Sequence, residues 1–185
     1  MPTGAKKIIL AGGGTAGHIE PALAVAVELQ KIDPALQCEF IGTKTGLENA
    51  LVPSRGFPLK VIPKVALPRK ISLSIFIWPF ALIGSVFTSI RIIKNASVVI
   101  GFGGYVAASA YLAAAVLRIP IVIHEANAKP GWANRLGRHF AKVVAVNFEG
   151  VRHQWSSAVL TGMPIRQSIS SLAQMQDKSS FRKLH

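Results

Sequence analysis

Apolar residues in this chain gather in six short runs, at 7–11, 38–42, 59–62, 97–101, 119–124 and 142–147, mostly continuous rather than alternating. Continuous apolarity marks strands covered on both faces, and helical patterns lie between most of the runs. The alternation predicts an α/β fold, a Rossmann-like parallel sheet with helices on both faces. Ligands in such sheets bind beyond the carboxyl ends of the strands. At that edge the first, fourth and fifth runs give way to residues 12–18, to Gly103-Gly104-Tyr105 and to Glu125-Ala126-Asn127. These three loops are expected to meet in one crevice.

The first loop, Gly12-Gly13-Gly14-Thr15-Ala16-Gly17-His18, reads as a strand-to-helix turn. Glycines let an anion approach the backbone, and the first amides of a helix lack internal partners, so the loop is expected to cradle phosphate. His18 stands at its mouth and is the candidate general base, because imidazole titrates near neutrality. A second glycine turn at 101–105 precedes a small-residue helix over 106–117. Two such turns at one edge suit a ligand with two phosphates. His124 closes a buried run and reads as structural, whereas Glu125 and Asn127 lie where they reach a ligand. Gly12, Gly14 and Gly17 also spell a dinucleotide fingerprint. The second strand, however, runs into Gly42-Thr43-Lys44 instead of a ribose-binding acid, so an NAD(P)-binding oxidoreductase is kept only as the alternative. No spacing suits a metal, and no nucleophile elbow or Cys-His pair is present.

Residues 71–90 follow a different pattern, twenty positions without a charged side chain. That is long enough to span a bilayer, but Pro79, Gly84 and the hydroxyls of Ser72, Ser74, Ser85 and Thr88 argue against a span. A helix here places Phe76, Phe80, Ile83, Phe87 and Ile90 on one side and Ile75, Trp78, Leu82 and Val86 on others. One apolar face is then left uncovered. Basic residues flank it: Lys60, Lys64, Arg69 and Lys70 before, Arg91 and Lys94 after. The expectation is a peripheral contact with anionic lipid through Ile75, Phe76, Trp78, Phe80 and Leu82, with Arg69 and Lys70 at the headgroups. A core helix with solvated flanks, or a membrane-surface binding domain without catalysis, are the alternatives.

Composition narrows the partners. The 185 residues are 50% hydrophobic with mean hydropathy +0.41, enough for one well-buried domain and unlike a disordered chain. Lys and Arg number 21 against 8 acids, for a net charge of +13, which favours an anionic partner. Aromatic residues are not interleaved with the basic ones, so nucleic acid is not expected. The single cysteine, Cys38, reads as a core residue of a reducing compartment. The apolar run after Lys6 and Lys7 is too short for a signal peptide.

Four segments in order, GGGTAGHIEPALAVA at 12–26, GFGGYVAASAYLAA at 101–114, HEANAKPGWANR at 124–135 and TGMPIR at 161–166, resemble the MurG-type bacterial glycosyltransferases, which add N-acetylglucosamine to lipid I to form lipid II. Ala16, Glu20 and Met163 depart from the usual residues of that family. The resemblance implies the N-terminal half of a GT-B fold, peripheral to the cytoplasmic face of the bacterial cell membrane and touching anionic inner-leaflet lipids. It implies that 1–166 form an acceptor-binding domain and that 167–185 are a tail at the start of a missing C-terminal donor-binding domain. Its substrates are lipid I and UDP-N-acetylglucosamine, without cofactor or metal. By the same resemblance His18 is the catalytic base. Gly14, Thr15, Ala16, Gly17, Asn127 and Arg166 fall on substrate-binding positions toward the donor, with Gly103, Gly104, Tyr105 and Glu125 on the other two loops. Chemistry of this kind is a direct displacement: the base takes the acceptor's C4 proton, the oxygen attacks C1 of the donor sugar, and UDP leaves with inversion. The fragment alone is expected to keep acceptor and membrane affinity with little transfer.

Overall fold

The computed structural model describes residues 6–65 and 74–165, Ser74 and Ile75 by their backbone alone. Strand β1 (Lys7–Gly12) shows why the apolar runs are continuous. Ile8 and Leu10 pack on one side with Ile19 and Leu23 of α1 (Ala16–Ile32) and Val52 of α2 (Glu48–Ser54). Ile9 and Ala11 pack on the other with Ala107, Ala110 and Tyr111 of α4 (Gly104–Leu117). Each face of the sheet thus has its own core, and alternation in polarity is lost because both are buried.

The sheet is parallel throughout, and its seven strands lie in the order β3-β2-β1-β4-β5-β6-β7. Here β2 is Gln37–Gly42, β3 Leu59–Val61, β4 Val98–Gly103, β5 Ile121–Glu125, β6 Val143–Val146 and β7 Val159–Leu160. Six of these are the expected strands. The seventh, only two residues long, leaves too little pattern to read. Strand order reverses between β1 and β4, which opens a crevice at their carboxyl ends. Two short helices complete the described chain, α5 (Trp132–Gly137) and α6 (Glu149–Gln154).

Helix α3 (Ser74–Ile93) leaves large apolar side chains exposed beside buried serines. It meets α4 at Ser85, which like Ser89 is fully buried, while Phe76, Phe80 and Phe87 are 74%, 74% and 62% exposed. Ser85 Oγ lies 3.0 Å from Ser109 Oγ of α4, and Ser89 Oγ donates to the Ser85 carbonyl at 2.9 Å. Small hydroxyls let the two helices approach, and Ile93, with Val86, Ile90 and Ile92, packs the C-terminal half of α3 into the core shared with α4. The structure overturns the core-helix alternative, because the phenylalanines stay exposed. It also corrects two of the expected outward contacts: Trp78 is half-buried with its ring 6.4 Å from that of Trp132, and Leu82 is half-buried as well. The outward apolar set is Phe76, Ile77, Phe80, Ile83 and Phe87. Arg69, Lys70 and the tail at 167–185 lie outside the described residues, as does the side chain of Ile75.

Candidate functional site

Two glycine loops meet at the crevice between β1 and β4. Register slips by one residue at its end, Ala11 facing Gly101 while Gly12 faces Gly103. The slip sets the loop after β1 against the start of α4. A Cβ on Gly104 would stand 2.5 Å from the Gly13 carbonyl oxygen, and one on Gly103 3.1 Å from His18 Nε2. Both residues hold positive φ, +80° and +98°, so only glycine serves at either.

His18 sits in the first turn of α1, half-buried. Its Nδ1 lies 3.2 Å from the Gly13 carbonyl oxygen and 3.2 Å from Thr15 Oγ1. A carbonyl only accepts, so Nδ1 is the donor in that bond, and in the neutral ring the lone pair is then on Nε2. His18 borders an open cavity of ≈ 380 Å³ whose wall also includes Gly13, Gly14, Thr15, Gly103, Gly104 and Tyr105. A neutral imidazole in this position is equipped to accept a proton from a bound hydroxyl.

The opposite wall is built on a buried carboxylate. Glu125 Oε1 accepts from the Asn127 amide at 2.8 Å and from Asn127 Nδ2 at 2.9 Å. Its Oε2 accepts from the Gly131 amide and from Asn134 Nδ2, both at 3.0 Å. Asn134 Oδ1 in turn accepts from the Tyr111 hydroxyl at 2.8 Å. Burial, reinforced by the Glu125 carboxylate, pushes the Tyr111 phenol well above its ordinary range and keeps it a donor. Glu125 was expected to reach a ligand. It borders the cavity, and both of its oxygens are engaged in shaping the loop that presents Asn127.

The first glycine loop also differs from a bare phosphate cradle. Gly14 N–H donates to Glu48 Oε2 of α2 at 3.2 Å, so that amide already has an anionic partner. Ala16 and Gly17 are exposed but line a separate shallow cavity with Glu20, Pro21, Met163, Pro164 and Ile165. The structure therefore brings together His18, Gly14, Thr15, Gly103, Gly104, Tyr105, Glu125 and Asn127, and sets Ala16 and Gly17 apart. Arg166 lies outside the described residues. His124 is structural: its Nε2 donates to the Gly162 carbonyl at 2.9 Å, and burial lowers its pKa although that bond and Glu125 pull the other way. Among the described residues no cluster of three or more His, Cys, Asp or Glu could hold a metal.

A family model described as the glycosyltransferase family 28 N-terminal domain matches residues 8–146. The chain belongs to this family. It is 46% identical over 183 residues to the UDP-N-acetylglucosamine--N-acetylmuramyl-(pentapeptide) pyrophosphoryl-undecaprenol N-acetylglucosamine transferase of Mycolicibacterium vanbaalenii, covering 95% of this chain and 45% of that protein. It is 49% identical over 185 residues to the protein of the same name from Nocardia farcinica, covering 95% and 47%. Among solved structures it resembles Acinetobacter baumannii MurG, with a TM-score of 0.68 and 36% identity over 78% of this chain and 42% of that one. The chain thus spans less than half the length of the curated relatives it matches.

Within this family 28 domain, four residues of the site carry no obvious sequence signal as functional groups. Trp132 and Asn134 sit inside the quoted stretch 124–135 but look like ordinary helix residues until the fold turns them to the cavity. Thr43 and Glu48 belong to the second βα unit. A search for an acid at the end of β2 stops at Lys44, short of Glu48, because the acid comes from the following helix instead.

Proposed function

We propose that this chain is the acceptor- and membrane-side half of an inverting UDP-sugar transferase. The enzyme would move N-acetylglucosamine from UDP-N-acetylglucosamine onto the C4 hydroxyl of the N-acetylmuramyl unit of lipid I, at the cytoplasmic face of the membrane. The observation that carries the reading is the His18 ring, bonded through Nδ1 to the Gly13 carbonyl and bordering a cavity formed by both glycine loops. Family membership and the names of the relatives supply the sugar and the acceptor. In this reading His18 takes the hydroxyl proton as the oxygen attacks the anomeric carbon, and UDP departs with the bonding electrons. Asn127, fixed by Glu125, and the start of α4 hold the polar part of the substrates.

Helix α3 supports a peripheral membrane position. Phe76–Ile93 is long and apolar enough to cross a membrane by length and composition. Its seat on α4 through buried serines favours lying along the surface, with the phenylalanines inserted and Arg91 and Lys94 exposed beside anionic headgroups. Trp78, packed on Trp132 of the cavity wall, links that surface to the site.

The test uses a chain carrying this half joined to the C-terminal half of a relative, with labelled UDP-N-acetylglucosamine and lipid I. Transfer that depends on His18 is the expected result. Transfer unaffected by His18→Ala overturns the assignment, and membrane binding without any transfer favours a purely membrane-binding role.

A further inference from the structure

Glu48 is a fully buried carboxylate on a seven-residue helix, and it faces no basic side chain in any described ion pair. Its bonds run instead to two loops. Oε1 accepts from the Thr43 amide at 2.9 Å and from Thr43 Oγ1 at 3.0 Å, while Oε2 accepts from the Gly14 amide at 3.2 Å. The surroundings leave room for this carboxylate and for little else. A Cβ at Gly13 would come within 3.0 Å of Glu48 Oε1, and one at Gly42 or Gly46 would collide with the Glu48 side chain outright. Three glycines on two loops are thus shaped around one acidic side chain. A buried carboxylate is costly unless its acceptor capacity is met, so such a fit points to a need for the charge in this place.

The consequence reaches His18. Gly14 N–H and the Gly13 carbonyl border one peptide unit of the loop, and the carbonyl is what His18 Nδ1 bonds. Thr43 Oγ1 also lies 3.5 Å from the Tyr105 hydroxyl, on the second glycine loop. We infer that Glu48 is a positioning residue: by holding Gly14 N–H it orients the Gly13 carbonyl, which selects the Nδ1–H tautomer of His18 and leaves Nε2 free for the acceptor hydroxyl. It also denies Gly14 N–H to a substrate phosphate. This rests on the transferase reading for its purpose but not for its geometry.

The experiment uses the 185-residue chain labelled with ¹⁵N and ¹³C. In the wild type, ring ¹⁵N shifts should show His18 protonated at Nδ1, and a coupling across the hydrogen bond should join Gly14 ¹⁵N to Glu48 ¹³Cδ. In Glu48→Gln, whose amide cannot accept at both oxygens' positions, Gly14 amide exchange should rise roughly tenfold or more and His18 should shift toward the Nε2–H tautomer, while β5 and β6 amides keep their protection. Wild-type His18 protonated at Nε2, or no coupling to Glu48, overturns the inference even if the variant does not fold. So does a folded Glu48→Gln chain with unchanged Gly14 exchange and His18 shifts. No substrate enters these measurements: a missing coupling, or a folded Glu48→Gln chain with unchanged Gly14 exchange, removes the Glu48 inference alone, and an unchanged rate in His18→Ala removes the transferase reading without altering the Glu48 geometry.

Discussion

The crevice and the outer face of α3 depart from the ordinary distribution of residues in opposite directions. Around the crevice, Glu48 and Glu125 are 0% and 1% exposed, and every carboxylate oxygen accepts a hydrogen bond from a loop. On α3, Phe76, Phe80 and Phe87 stand in solvent while Ser85 and Ser89 are buried. The first departure spends buried charge to shape loops that have no regular structure of their own. The second leaves apolar area unburied, which lowers the return from folding by about 25 cal/mol per Å². One region is built to be rigid, and the other to be covered.

Removing the support of the crevice should have the largest effect. Glu125→Ala leaves the Asn127 and Gly131 amides without their acceptor and Asn134 Nδ2 with the His124 carbonyl alone, and is expected to cost about 3 kcal/mol or more in urea denaturation. A loss below 1 kcal/mol would mean that water replaces the carboxylate and that the crevice is not rigid in the sense argued. His18→Ala, in a chain carrying both halves, should lower kcat roughly 10²-fold while the melting temperature barely changes, because the half-buried ring packs little. Together the two variants separate shaping from chemistry.

On α3 the expectations reverse. Phe80→Ser with Phe87→Ser should reduce sedimentation with anionic vesicles roughly tenfold while leaving denaturation unchanged, since neither ring is buried. A matching loss of stability would show that the face is covered by the chain itself. Trp78→Ala bridges the two regions and should cost about 1 to 2 kcal/mol through its contact with Trp132, with a smaller effect on vesicles than the phenylalanine pair. The smallest effect is with pH. Burial lowers the folded pKa of His124 below its unfolded value, so its contribution to stability is complete above about pH 6.5 and is lost as pH falls through the folded pKa. Urea midpoints measured from pH 7.5 downward should fall more steeply in the wild type than in His124→Asn.

Much of this was readable from the chain. The six continuous runs identify a parallel sheet, because only strands buried on both faces can be apolar at every position. Gly12 to His18 and Gly101 to Tyr105 announce turns, and the uncharged stretch at 71–90 announces a helix with more apolar surface than a neighbour can cover. Which side of that helix faces outward was not readable. Trp78 and Phe80 are equally apolar, and only the fit of Ser85 against Ser109 turns one inward and the other out.

The same limit applies at the site. Local sequence determines that His18 begins a helix after a glycine loop, since backbone freedom and helix-end amides are properties of a few consecutive residues. It does not determine that Glu48 satisfies Gly14, or that Asn134 reaches Glu125 and Tyr111, because these pairs are brought together by strand order across the sheet. Hydrogen-bond acceptors are supplied by whichever element the topology sets beside a loop. Pattern alone therefore gives the sheet, the loops and the candidate base, and tertiary structure decides which carboxylates hold them and what the base is free to touch.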